Sequence, residues 1–192
     1  MSFFDQPKNA GLAMIIVAIV EVIAAIINVV AAATADDGVD YTGIVVAIGL
    51  IITAVIYFKY GSKVRSGAIS AKIDILASFV NVVGVISIIS GVFYIIGGAV
   101  GNHSYIGSGV IGIILGLIIC YCGKKINDGK ETTLDKILWI ILLVIFVIEI
   151  LANIVMLVGF PIGTLMGICG IIIYVFMTLL LLDGEVKKAM GM

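Results

Sequence analysis

Six runs of about twenty apolar residues, at about 11–34, 42–60, 74–100, 105–122, 135–158 and 161–182, occupy nearly all of the 192-residue chain. Each is long enough to cross a hydrocarbon layer about 30 Å thick as a helix. Lipid offers the backbone no hydrogen-bond partners, and none of the runs alternates like a barrel strand, so helices are expected throughout. A charged share of only 12% leaves little material for a water-facing domain. The expected fold class is therefore all-α: a polytopic membrane protein with one integral membrane domain over residues 1–192.

A repeat runs through the helices. Lys8, Lys72 and Lys136 are spaced 64 apart, and thirteen residues after each comes an equivalent position deep in apolar sequence, occupied by Glu21, Val85 and Glu149. Gly61-Ser62-Lys63-Val64-Arg65-Ser66-Gly67 and Gly123-Lys124-Lys125-Ile126-Asn127-Asp128-Gly129 follow one pattern, with a degenerate echo from Asp183 to Ala189. The chain reads as three tandem helical hairpins, at about 8–71, 72–135 and 136–192. A two-helix unit returns to the side it left, so the copies share one orientation across the membrane and are parallel repeats. All eleven basic residues fall on one side of this scheme, whereas the opposite loops carry Asp36, Asp37 and Asp40, then Asn102 and His103. The positive-inside rule accordingly places both termini in the cytoplasm. In a prokaryote the membrane would be the plasma membrane.

Acids buried in apolar sequence point to function, because charge at the bilayer centre is costly to keep. Thirteen residues of helix from Lys8 or Lys136 rise about 20 Å, which sets Glu21 and Glu149 near mid-membrane at similar depth. Two carboxylates brought together in a dry site can share a proton or hold a cation. Asn28, Asn81, Ser87 and Asn153 are the candidate polar lining around them. A small and polar stripe on the odd helices, Gly11, Ala18, Glu21, Ala25, Asn28 and Ala32 in the first and Ala77, Asn81, Gly84 and Gly91 in the third, suggests that these helices meet at a central axis. Thr53 and Thr178 are further pathway candidates, although threonine often bonds its own helix backbone. The structural alternative has both glutamates protonated and bonded to asparagines across helices. Such bonds average only about 0.6 kcal/mol in a membrane, a weak reason to keep two acids.

Glycine marks the even helices, with Gly109, Gly112 and Gly116 in the fourth and Gly163, Gly167 and Gly170 in the sixth. Small residues at these spacings let helices approach closely, within one chain or between a homo-oligomer's subunits or a membrane protein partner. Enzyme chemistry is not expected. His103 is the only histidine and sits in a turn, and Cys120, Cys122 and Cys169 have neither metal spacing nor histidine partners. No cofactor, metal or nucleic acid is implied, and Trp139 is placed near the membrane interface, where such rings anchor. The function expected is a small channel or transporter that conducts or couples protons, cations or a small solute at Glu21 and Glu149. The alternative is a non-transporting scaffold or accessory subunit that associates through its glycine-rich and polar faces.

Overall fold

In the computed structural model the described residues are 3–35, 38–127, 132–158 and 161–192, with the backbone alone described at 161 and 162. They form α1 (Pro7–Ala33), α2 (Tyr41–Ser66), α3 (Lys72–Val100), α4 (Ser104–Ile126), α5 (Thr133–Met156), α6 (Pro161–Leu182) and a short α7 (Gly184–Ala189), preceded by a 3-10 turn at Phe3–Asp5. No strand occurs among these residues. The first six helices are long and apolar enough to span a membrane, so the chain is a multi-pass helical membrane protein.

The helices follow one another around the bundle, with α1 packed on α2, α2 on α3, α3 on α4 and α5 on α6, while α6 closes onto α1. The α4 and α5 helices barely touch, and α6 stands between α1 and α5. The odd helices therefore do not gather at an axis of their own. Both chain ends and the starts of the odd helices lie at one end of the bundle, here the basic end. The turns after α1 and α3 lie at the other, the acidic end.

Small residues at intervals of seven set the closest contacts. Gly84, Gly91 and Gly98 on α3 face α4, where Gly109, Gly116 and Gly123 answer. A Cβ on Gly91 would lie 2.6 Å from the carbonyl oxygen of Gly109, and one on Gly109 would lie 2.6 Å from that of Gly91. Gly84 and Gly116 are matched in the same reciprocal way, at 2.9 and 2.7 Å. On α1, Gly11, Ala18, Ala25 and Ala32 are buried at the same interval, as are Ala47, Ala54 and Gly61 on α2. Gly11 meets Gly61 backbone to backbone. Accordingly α2 runs through Gly61 and α4 through Gly123, so both copies of the repeated glycine motif begin inside a helix. Gly61 and Gly123 are contacts inside helices, whereas Gly67, with φ of 75°, ends α2. The second motif's Asp128 and Gly129 lie outside the described residues.

The tightest core sits toward the basic end. Met14, Leu76, Ile75, Phe79, Phe176, Met177 and Leu181 are essentially inaccessible, and α7 folds back so that Val186 and Met190 complete this layer. The Tyr60 hydroxyl donates to the Ile75 carbonyl at 2.7 Å, and Trp139 Nε1 donates to that of Leu181 at 2.8 Å. Trp139 is thus an enclosed core residue instead of the interfacial anchor its position suggests. Outside the core, Lys72 Nζ bonds Asp183 Oδ2 at 2.7 Å, tying α3 to the segment that starts α7. The hydrogen bond from Lys72, with further support from backbone N–H groups at Glu185 and Val186, holds the Asp183 carboxyl below its ordinary range.

Two outcomes follow. Gly91→Ala and Gly109→Ala should each lower stability in detergent by about 1–3 kcal/mol, because the added methyl meets backbone that cannot move aside. Gly107→Ala, where nothing lies within 4 Å, should unfold at the wild-type temperature; equal losses at all three sites in a thermal unfolding series would refute the close seam. The lowered Asp183 carboxyl contributes stability above its unfolded titration range and loses it as pH falls through the folded one. An NMR titration should show its midpoint rising in Lys72→Ala, and an unchanged midpoint would exclude the pairing in solution.

Candidate functional site

Midway along the bundle the packing opens into a cavity of about 380 Å³. Five helices line it. Val17 and Glu21 come from α1; Leu50, Thr53 and Tyr57 from α2; Val83, Ile86 and Ser90 from α3; Glu149, Ala152 and Asn153 from α5; and Gly170, Ile173 and Tyr174 from α6. The two glutamates, 128 positions apart in sequence, thus border one space. Both are partly buried. Neither carboxylate has a hydrogen bond or ion pair to another described residue, and the carboxyl–asparagine bonds of the structural alternative are not formed among those residues.

The proposed polar lining divides. Asn153 borders the cavity, its Nδ2 donates to the Glu149 carbonyl oxygen at 2.8 Å, and its side chain fills the space above Gly170 in close contact with that glycine. Asn28 lies nearer the acidic end, in a second cavity of about 430 Å³ shared with Asp40, Thr42, Asn102 and Tyr105. Asn81 and Ser87 turn away from the central cavity onto α4. Ser87 Oγ donates to the Gly112 carbonyl at 3.0 Å, and the Asn81 backbone stands where a Cβ on Gly123 would fall, 2.8 Å from its nitrogen. The α3 stripe is used for packing, and the cavity face of that helix is instead Val83, Ile86 and Ser90.

The glycines of the even helices also find partners within the chain. Gly109, Gly112 and Gly116 lie against α3, while Gly163 and Gly167 lie against the α5 backbone at Met156 and Asn153. Both pathway threonines bond their own helices, Thr53 to Leu50 and Thr178 to Tyr174, with only Thr53 at the cavity wall.

Leu50 borders both the central cavity and the one nearer the acidic end. Beyond it the acidic-end turn is pinned by Thr42, whose Oγ1 donates to the Gly97 carbonyl at 2.9 Å and accepts from Asn102 N at 2.8 Å. Asp40 caps α2 by accepting from Gly43 N at 3.0 Å; Asp36 and Asp37 lie outside the described residues. On the other side, Tyr174 packs edge-on to Phe79 with centroids 6.0 Å apart, and Phe79 meets Phe146 at 6.1 Å. This aromatic floor merges into the sealed core below. Sequence reasoning missed Ser90, Tyr57, Tyr174 and Leu50. The usable signal was helical spacing, since Tyr57 follows Thr53 by four residues and Tyr174 follows Gly170 by four.

Among the described residues no cluster of three His, Cys, Asp or Glu side chains is arranged to hold a metal. Fold and site together define a helical membrane protein with two carboxylates at a mid-bundle cavity. Comparison with protein-family models, curated proteins and solved structures finds no match to the chain.

The asymmetry can be probed by thiol labelling, with Cys120, Cys122 and Cys169 replaced by alanine. A cysteine at Ser90 should react with a membrane-impermeant reagent from the side the acidic end faces, and one at Leu76 should stay unreactive from both sides. Labelling at Leu76 but not at Ser90 would reverse the reading.

Proposed function

We propose that this protein is a small membrane transporter or channel in which Glu21 and Glu149 load and release a proton or cation at mid-membrane. In this reading the three hairpins are tandem repeats threaded the same way up, and the basic end faces the cytoplasm, in keeping with the distribution of lysine and arginine. The observation that carries it is the shared cavity: glutamates from two helices far apart in sequence border one space, and neither carboxylate has a hydrogen bond or ion pair among the described residues. Stability alone is a poor reason for such an arrangement, since an acid without a partner inside a bundle adds cost and no bond.

The mechanism uses the unequal packing of the two ends. The chamber near the acidic end leads toward Leu50 and the glutamates, while the Phe79, Phe146 and Tyr174 layer and the core beneath it block the basic end. A proton or cation would enter past Leu50 and exchange at the paired carboxylates. Thr53, Ser90 and Asn153 supply polar atoms beside them. Release toward the cytoplasm requires the aromatic layer to part, as alternating access demands. The scaffold reading expects a closed, dry centre and association through glycine-rich and polar faces, and the glycines of α4 and α6 already lie against α3 and α5. A homo-oligomer or a partner subunit would have to meet other surfaces, such as the lipid-facing side of α4.

Flux into liposomes decides the matter. Glu21→Gln and Glu149→Gln should each reduce proton or cation flux by about tenfold or more. Equal flux in all three proteins, or none above protein-free vesicles, ends this reading.

A further inference from the structure

Glu149 borders a second space besides the central cavity. Where α4 and α5 fail to pack, a cleft of about 350 Å³ runs between them, lined on α4 by Ile118, Ile119 and Cys122 and on α5 by Ile141, Ile145 and Phe146. Its rim is lipid-facing, since Ile118, Ile141 and Ile145 are each about half exposed, at 54%, 47% and 44%. Its inner end is formed by Phe79, Phe146, Tyr174 and the glutamate. Apart from that carboxylate, the Tyr174 hydroxyl and the Cys122 thiol, the lining is hydrocarbon.

We infer that this cleft is a lateral entry and binding site for a lipophilic organic cation, which reaches Glu149 from the membrane. The inference rests on the reading of Glu149 as a working carboxylate and names a substrate class for it. Three properties of the cleft select the occupant. Its volume suits a ligand of drug-like size. Its walls accept only an apolar body that already partitions into lipid, so hydrated ions are excluded. Its end combines one negative group with aromatic rings, a pairing that attracts a cation of diffuse charge. Because Glu149 also borders the central cavity, a cation arriving there would displace a proton toward Glu21, and the two uses of the acid would be exchanged one for the other.

The test is binding of tetraphenylphosphonium to purified protein in nanodiscs, measured by equilibrium dialysis. Wild type should bind it at least about tenfold more tightly than tetraethylammonium, which has the same charge and less apolar surface. Glu149→Gln should weaken tetraphenylphosphonium binding about tenfold or more, and so should Ile145→Trp, which fills the cleft from its lipid-exposed rim. Gly107→Ala, at a position with nothing within 4 Å and outside both cavities, should bind within about threefold of wild type. Absent wild-type binding, equal affinity for the two cations, or wild-type affinity in both Glu149→Gln and Ile145→Trp overturns the inference. Proton flux in the same preparations keeps the two readings apart. Carboxylate-dependent flux without cation binding sinks the cleft alone, and Glu149-dependent cation binding without flux sinks the proton pathway while sustaining the cleft.

Discussion

Backbone-to-backbone contact at small residues is the constraint on which the rest of this bundle depends. Inside lipid the hydrophobic effect gives helices no reason to associate, so close packing has to supply the attraction. Residues recurring every seven positions stay on one seam of a helix along its length. Here that seam is Gly84, Gly91 and Gly98 against Gly109, Gly116 and Gly123, and between α1 and α2 it is Gly11 against Gly61, with buried alanines at the same interval on both helices. Wherever the seam holds, side chains are pushed to the flanks. Those flanks decide what faces the centre.

The consequence is a division of labour along the bundle. Large side chains from every membrane helix fill the basic end, and Val186 of α7 and Met190 just after it add two more from outside the membrane-spanning set. Higher up the packing is looser: Ser90, Ala152 and Gly170 stand among larger side chains at the central cavity, and Ala31, Ala32, Gly43 and Ala47 line the one nearer the acidic end. The acids sit at the boundary between the two regimes. Glu21 and Glu149 therefore rest on a dense aromatic support while their carboxylates border open space.

Much of this was legible in the chain. Apolar run length determines the six spans, and their bounds differ from the helices mainly where polar ends such as Gly61 to Ser66 continue as helix beyond the apolar core. The lysine frame singled out Glu21 and Glu149, and the two do border one cavity. Rotation of individual helices was not legible, because a stripe of small residues looks the same whether it lines a space or packs a neighbour. Asn81 and Ser87 belong to the second kind and Asn153 to the first. Nor does pairwise sequence reasoning reveal that α6 lies between α1 and α5, since that order depends on how all the flanks fit at once. The fold of α7 was hidden by its shortness, and only Val186 and Met190 make it part of the core.

That short helix has a mechanical consequence. Val186 and Met190 are wholly enclosed among residues of the membrane helices, Asp183 is clasped by Lys72, and Lys187 lies 5.7 Å from the Trp139 ring centroid. Any parting of the bundle at this end must first unseat a tail that staples α3 and α5 to the last span. The tail thus makes the cohesion of this end of the bundle depend on a few residues that lie outside the membrane-spanning helices.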